Sequence, residues 1–109
     1  MSKNKYCYIF WTCASVEEAK KIIQELLQKR WIACASIFPK VISLFYWEGK
    51  MQEEEEVKVI LKSTSQKYSD IEKFILNHAS YDLPEILMMP IEKGNPDYLK
   101  WMEEVLYSV

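Results

Sequence analysis

Few side chains in this sequence could carry chemistry on their own. There is one histidine, His78, and there are three cysteines, Cys7, Cys13 and Cys34. Soft transition metals prefer several nitrogen or sulfur ligands, and the cysteine spacing contains no CxxC pair of the kind found in zinc sites. A single histidine also leaves no legible catalytic triad. The residues therefore predict a non-enzymatic protein. We interpret the cysteines as small buried thiols, with metal binding as the alternative.

A run of four glutamates, Glu53 to Glu56, is the other feature that suggests a cation site. In a strand, successive side chains point to opposite faces of the sheet, so four consecutive carboxylates do not converge on one ion. Charged residues on an exposed strand also discourage edge-to-edge aggregation. We interpret the run as solvated edge protection, with weak binding of hard cations as the alternative.

Hydrophobic periodicity and capping signals place these residues on four strands and three helices. Ser15 and Glu18 form a capping box, and Pro39 predicts a sheet edge, a bulge or a bend because proline cannot donate to a strand ladder. The predicted elements are a strand over Tyr6 to Thr12, a helix from Ser15 to near Arg30, two extended runs from Ile32 to Ser63 that meet at a Glu48-Gly49-Lys50 turn, a helix between Ser65 and about His78, a strand over Glu85 to Ile91, and a terminal helix that starts at Asn95-Pro96-Asp97.

This order, β-α-β-β-α-β with a final helix, predicts a ferredoxin-like α+β fold with an antiparallel sheet. At 109 residues the chain is expected to form a single domain over residues 1–109.

The first extended run is too long for a compact domain. From Ile32 to Trp47 it would reach roughly 50 Å at about 3.3 Å per residue, whereas a domain of about 100 residues has a radius of gyration near ~13 Å. Part of the hairpin must project, and its apolar side chains then need another surface. The sequence therefore predicts an oligomer.

Charge and hydropathy narrow the range of partners. The net charge is −2 and Arg30 is the only arginine, which provides no electrostatic footprint for nucleic acid. No apolar run approaches the ~18 residues of a membrane span, and the first residues lack the hydrophobic region of a secretory signal. The sequence predicts a cytoplasmic protein without nucleic-acid or membrane partners.

Several segments together resemble the CutA divalent-cation tolerance family. The Trp-Glu-Gly-Lys turn and the Tyr-x-x-Pro-Glu segment are specific in combination, and the resemblance covers nearly the whole chain. The matching stretches are Ala33-Cys34-Ala35, Ser43 to Lys50, Glu56-Val57, Ile60 to Thr64, Tyr81 to Ile86 and Tyr98 to Trp101. The resemblance implies a ferredoxin-like homotrimer with long hairpins packed across subunits, and a role in the response to copper and other divalent metal ions.

The resemblance also implies copper ligands at three positions, namely a cysteine at the end of the first strand and two adjacent histidines after the second helix. In this sequence those positions hold Trp11, His78 and Ala79. Cys13, two residues beyond Trp11, is a substitute thiol ligand. The favoured interpretation of His78 is a residue at a helix C-terminus, where partial positive charge is favourable. Weak divalent metal binding, with copper as the candidate and no required cofactor, is the alternative.

A cleft between subunits is a further implication of the resemblance. Lys62, Tyr81 and Glu85 would line it, and Trp47 would approach from the hairpin. These side chains could bind a small anionic or zwitterionic ligand, or they could form an interface salt bridge beside a hydrogen-bonding tyrosine. Two functions remain open: a trimeric, non-enzymatic cation-tolerance protein, and a small-molecule sensor that resembles the trimeric PII signalling proteins.

Overall fold

A computed structural model describes residues 5–108 of the chain. Its elements occur in the predicted order. They are β1 (Tyr6–Cys13), α1 (Val16–Gln28), β2 (Cys34–Trp47), β3 (Lys50–Thr64), a single 3₁₀ turn (Ser65–Lys67), α2 (Tyr68–His78), β4 (Ile86–Pro90) and α3 (Pro96–Tyr107).

The four strands form one antiparallel sheet in the order β2-β3-β1-β4. Alternate residues of the two central strands, such as Ile9, Trp11, Val59 and Leu61, are fully buried against the apolar stripes of α1 and α2. Burial of this apolar surface, at about 25 cal/mol per Å², is the main favourable contribution to folding. The predicted α+β fold with a ferredoxin-like strand order is confirmed.

The terminal helix α3 packs against the opposite face of the sheet. Tyr6 and Thr64 alternate with buried core residues, and each contacts this helix: the Tyr6 hydroxyl donates to Glu103 Oε1 at 3.0 Å, and the hydroxyls of Thr64 and Tyr107 are 2.8 Å apart. Met102 of α3 is fully buried in a second apolar cluster. The sheet therefore has helices on both faces at this end.

The helix caps follow the local sequence. Ser15 Oγ accepts the Glu18 N–H at 3.1 Å, which confirms Ser15 as the cap of α1. The Glu18 carboxylate does not close the box on Ser15; it accepts the N–H groups of Ala14 at 3.2 Å and Ser80 at 2.7 Å, and so ties α1 to the segment after α2. At α3, Asn95 Oδ1 accepts the N–H of the second helical residue at 2.9 Å, as predicted.

The hairpin of β2 and β3 is paired from Cys34↔Lys62 to Trp47↔Lys50. The register shifts between Phe38 and Val41, around Pro39, which confirms the predicted bulge. At the tip Glu48 and Gly49 have φ of 50° and 79°, the left-handed conformations that a two-residue hairpin turn requires. The longest dimension of the molecule is 45 Å, against a radius of gyration of 14.8 Å, so the hairpin does project.

Candidate functional site

The hairpin turn decides which side chains share a face with Trp47. Because the turn has two residues, Trp47 pairs with Lys50, Phe45 with Gln52 and Ser43 with Glu54. Directly opposed residues of two strands point to the same face. The aromatic rings of β2 and alternate polar residues of β3 therefore lie together on one face of the hairpin.

The loop between α2 and β4 closes this face into a cleft of about 420 Å³. We call it the Trp47–Tyr81 cleft. Its lining residues are Phe45, Trp47, Gln52, Glu54, Glu56, Tyr81 and Leu83. A volume of this size is within the range of small-molecule sites, about 300–1,000 Å³.

Tyr81 is the polar contact between the loop and β3. Burial raises the pKa of Tyr81, and the neighbouring negative charge of Glu56 raises it further. The phenol therefore keeps its proton beside the Glu56 carboxylate. Tyr81 and Glu56 both line the cleft, so the loop and β3 meet there.

Glu85 lies near this cleft but is engaged elsewhere. Its carboxylate is 3.4 Å from Lys58 Nζ. Its backbone N–H donates to Thr12 Oγ1 at 3.1 Å, and its carbonyl oxygen accepts the Thr12 N–H at 3.1 Å. Glu85 therefore joins the start of β4 to β1 and β3.

Lys62 belongs to a different cluster, near the other end of β3. Its Nζ is 3.6 Å from Cys34 Sγ and 3.3 Å from Ser36 Oγ. Burial lowers the pKa of Lys62, but nearby Cys34 and Tyr98 outweigh this effect, so that its pKa is raised. Four residues of strand, about 13 Å, separate Lys62 from Lys58. Within one chain the structure brings Trp47 and Tyr81 together and leaves Lys62 apart from them.

His78 is exposed at the end of α2. Its Nδ1 is 2.8 Å from the Phe74 carbonyl oxygen, and its ring stacks on the Phe74 ring with centroids 4.0 Å apart. With the Nδ1 proton donated to that carbonyl, the Nε2 lone pair is available for a proton or a metal ion. Glu18, Lys21, Ile22 and Glu25 line the same groove of about 230 Å³, so a lysine lies beside the two carboxylates.

Cys13, the substitute ligand, is a poor match for a metal site. It is 1% exposed, and its thiol donates to the Ser15 carbonyl oxygen at 3.5 Å. Burial, together with the charge of Glu18, raises the pKa of this thiol to about 11, so the thiolate that a metal needs is costly to form. Within residues 5–108 no three histidine, cysteine, aspartate or glutamate side chains converge as a ligand set.

The sequence also matches the model of a known protein family over most of its length. The model of the CutA1 divalent ion tolerance protein matches residues 7–105. The chain belongs to this family. Divalent-cation tolerance protein CutA from Archaeoglobus fulgidus is 37% identical over 99 residues, which cover 91% of this chain and 96% of that protein. Protein CutA from Mus musculus is 34% identical over 100 residues, or 92% of this chain, but only 56% of the mouse protein is spanned.

Solved CutA structures share the architecture of this chain. CutA1 from the psychrotrophic bacterium Shewanella sp. SIB1 superposes with a TM-score of 0.91 at 28% identity and covers 98% of this chain and 100% of its own. The periplasmic divalent cation tolerance protein CutA from Archaeoglobus fulgidus superposes with a TM-score of 0.89 at 36% identity, covering 93% and 98%. These CutA structures confirm the α+β fold expected from the order of elements.

Two of the three positions at which the resemblance implies copper ligands hold other residues in this chain. Trp11, where the resemblance implies a cysteine ligand, is fully buried in the core, and Ala79 packs against the same core. Neither side chain can ligate a metal. Of the three implied copper positions, His78 alone carries a ligand in this chain.

Sequence reasoning missed five of the seven lining residues of the cleft, including both carboxylates. Glu54 and Glu56 were assigned to edge protection, yet alternation places both on the face that carries Phe45 and Trp47. The predicted Glu48-Gly49-Lys50 turn included one residue too many, because Lys50 begins β3 and the two-residue turn sets this register. The partners of Lys62 had no signal in the local sequence, because they depend on pairing between β2 and β3 beyond the bulge.

Between residues 5 and 108, no helix is both long enough and apolar enough to cross a membrane.

Proposed function

We propose that this CutA family chain is a non-enzymatic cation-tolerance protein that acts as a homotrimer and binds divalent cations, copper among them, weakly. The observation that carries the proposal is the groove beside His78. The imidazole of His78 lies there with the carboxylates of Glu18 and Glu25, and the ammonium group of Lys21, which also lines the groove, lowers its affinity for a cation. Nitrogen and oxygen ligands of this kind suit borderline divalent cations.

The incomplete ligand set supports weak rather than tight binding. The Glu18 carboxylate already accepts hydrogen bonds from Ala14 and Ser80, which leaves it less free to coordinate an ion. The Cys13 thiol is buried and protonated at neutral pH. One imidazole and one unoccupied carboxylate would hold a divalent cation at low affinity unless another subunit contributes a ligand.

The proposed homotrimer accounts for the exposed apolar surface of the hairpin. Leu44, Tyr46 and Met51 are 67%, 73% and 69% exposed and lie near its tip. The sheet also ends in two edge strands, β2 and β4. Exposed apolar patches and open edges of this kind are typical of surfaces that other chains cover.

We further propose a cytosolic location. Cys7, Cys13 and Cys34 are all free thiols, which is the usual state in a reducing compartment. Fractionation of the source cells, with detection of the chain by antibody, tests this location; recovery from an extracytoplasmic fraction would contradict it.

Calorimetric titration with Cu²⁺ and Zn²⁺ tests the metal proposal. We expect a weak, saturable heat for the wild type and at least a tenfold loss of affinity in His78→Ala. The neighbouring exposed residue Asn77 provides the matched control, since Asn77→Ala leaves the imidazole in place and should bind as the wild type does. Equal, non-saturating heats in all three proteins would contradict a site at His78.

A second function, a small-molecule sensor resembling the PII proteins, is favoured by the Trp47–Tyr81 cleft. In the proposed trimer Lys62 of a neighbouring chain would complete the cleft. A thermal-shift screen of metabolites, on wild type and Lys62→Ala, tests this version. Stabilisation of the wild type that Lys62→Ala abolishes would support it, and a screen without any stabilising compound would contradict it.

A further inference from the structure

The base of the hairpin brings a thiol and an ammonium group together. Cys34 and Lys62 are directly opposed residues of β2 and β3, and Lys62 Nζ lies 3.6 Å from Cys34 Sγ and 3.3 Å from Ser36 Oγ. Burial raises the pKa of Tyr98, and the charges of Cys34 and Lys62 act on it too, so α3 borders the same cluster. These contacts need no residue of a second copy.

The charge of Lys62 lacks a carboxylate partner. Lys62 is half-buried, and among residues 5–108 it forms no ion pair with an aspartate or glutamate. Lys58, on the same face of β3, does have such a partner, Glu85, at 3.4 Å. A charge that is partly removed from water is costly unless an opposite charge or a hydrogen bond compensates it. The neighbouring Cys34 thiol, once ionised, supplies that negative charge within the chain.

The other two cysteines lie in a different environment. Cys7 and Cys13 are 0% and 1% exposed, and burial raises the pKa of each thiol to about 11. Thiols of this kind stay protonated and inert, whereas reactive cysteines are partially exposed and lie beside a positive charge. Cys34 is half-buried and has the Lys62 ammonium group beside it. One chain therefore contains both kinds of cysteine.

The position of Lys62 also gives a small molecule access to this thiol in the assembled protein. In the proposed trimer Lys62 lines the cleft between subunits, and Cys34 accompanies it because the two residues are adjacent on neighbouring strands. A reagent no larger than hydrogen peroxide fits such a route. The route of access rests on the proposed sensor cleft, whereas the contact between Cys34 and Lys62 does not.

We propose that Cys34 is a site of reversible oxidation by hydroperoxides and that Lys62 stabilises its thiolate. The thiolate sulfur attacks one oxygen of hydrogen peroxide, and the S–O bond forms as the O–O bond breaks. The sulfur loses two electrons and becomes a sulfenic acid, while the peroxide is reduced. The leaving hydroxide takes a proton from the solvent and becomes water.

The fold leaves this sulfenic acid without a resolving thiol in its own chain. Cys7 pairs with Ser63, the residue after Lys62, and successive strand residues point to opposite faces of the sheet. Cys7 and Cys13 are both at alternate positions of β1, so they lie on the face opposite Cys34. External thiols must therefore restore Cys34: the first displaces water to form a mixed disulfide, and the second releases the Cys34 thiol.

Oxidation of the reduced full chain by hydrogen peroxide, in metal-free buffer that contains dimedone, tests the proposal. Dimedone adds to sulfenic acids, and peptide mass spectrometry locates the adduct. We expect the adduct at Cys34, with at least tenfold less at Cys7 and Cys13. A sample unfolded in guanidinium is the control and should label all three cysteines. Absence of the adduct at Cys34, or equal labelling of the three cysteines in the folded protein, would overturn the proposal.

Variants of Lys62 test its role. Lys62→Gln removes the charge and should slow the oxidation of Cys34 at pH 7 at least tenfold, whereas Lys62→Arg keeps the charge and should recover most of the rate. Lys58→Gln, on the same face of the strand, is the matched control and should change the rate less than twofold. Equal losses in the Gln and Arg variants of Lys62 would show a merely structural role and would overturn the stabilisation by charge.

An interface salt bridge is the competing role of Lys62. In that case Lys62→Gln would lose trimer mass in sedimentation and would leave the rate of Cys34 oxidation unchanged, and this pair of results would overturn the proposal. A failure of oxidation at Cys34 leaves the metabolite screen and the metal titration at His78 untouched. The oxidation proposal and the proposed function therefore fail separately.

Discussion

Strands β2 and β3 pass through two different environments, one at the base of the hairpin and one in its distal arm. In the base of the hairpin, alternate residues of β3, Val57, Val59 and Leu61, are buried under α1 and α2. In the distal arm (residues 41–56), the same strand carries glutamates, and its partner strand exposes Leu44 and Tyr46. The backbone pairing is continuous across both regions apart from the bulge at Pro39.

Apolar burial stabilises the base of the hairpin, whereas the arm keeps its apolar side chains exposed. Burial in the base supplies the free energy that orders the chain. The arm has ladder hydrogen bonds but little apolar burial, and a hairpin alone is at best marginally stable in water. The arm is therefore the region whose apolar side chains remain exposed in the single chain.

Truncation of a base residue should produce the largest effect on stability. Leu61 is fully buried, and Leu61→Ala should lower the free energy of unfolding by about 3 kcal/mol through lost burial and a residual cavity. Urea denaturation measures this change. Leu44→Ala in the arm is the matched control and should change the stability of a dissociated chain by less than about 0.5 kcal/mol. Similar losses in the two variants would remove the distinction between base and arm.

Alkaline pH should weaken the buried core beside the base of the hairpin, where Cys7 of β1 pairs with Ser63 of β3. Burial raises the pKa of Cys7 from its ordinary value of 9.0 to about 11, although a hydrogen bond with Ser65 opposes the rise. Because the unfolded thiol ionises first, the stability due to Cys7 is complete below pH 9 and is lost as the pH rises towards 11. We expect a loss of about 1–2 kcal/mol for this thiol over that range.

Denaturation midpoints at pH 8 and pH 11 check this titration. Cys7→Ala, which has no thiol to ionise, should show a smaller decrease between the two values than the wild type. An identical decrease in both proteins would exclude Cys7 as its source.

A substitution that strains the turn at the tip of the arm should lower the free energy of unfolding less than Leu61→Ala does. Gly49 has φ of 79°, and a Cβ at this position would meet nothing within 4 Å. Gly49→Ala should therefore cost only the conformational penalty, about 1 kcal/mol. Gly49→Asn is the control, since asparagine tolerates the left-handed region and should lose less. If both variants unfold at the wild-type urea concentration, the turn does not contribute to the stability of the arm.

Local chemistry made most of the fold predictable. Ser15, Pro39 and the predicted Glu48-Gly49-Lys50 turn each act through their own backbone neighbours. The structure confirms the cap and the bulge, and it places the turn at Glu48 and Gly49, with Lys50 already in β3. The start of α2 was less readable because a 3₁₀ turn precedes it and Lys67 provides no side-chain cap. The position of α3 on the opposite face of the sheet also had no local signal, because it depends on distant contacts of Tyr6 and Thr64.

The candidate site was predictable only in part. Trp47 and Tyr81 line one cleft within the chain, whereas the resemblance implied a cleft between subunits. Lys62 and Glu85 each have other partners in the same chain, Cys34 and Lys58 respectively. Strand register decides those contacts, and residues that are close in a family motif are not therefore close in one subunit.

Sedimentation velocity of the wild type and of a variant carrying Leu44→Ser, Tyr46→Ser and Met51→Ser tests most directly whether the arm is an assembly surface. The chain has a mass of 13.0 kDa, so a trimer has three times 13.0 kDa, about 39 kDa. We predict the trimer mass for the wild type and a monomer with unchanged circular dichroism for the variant. A monomeric wild type, or a variant that still sediments as a trimer, would contradict the account.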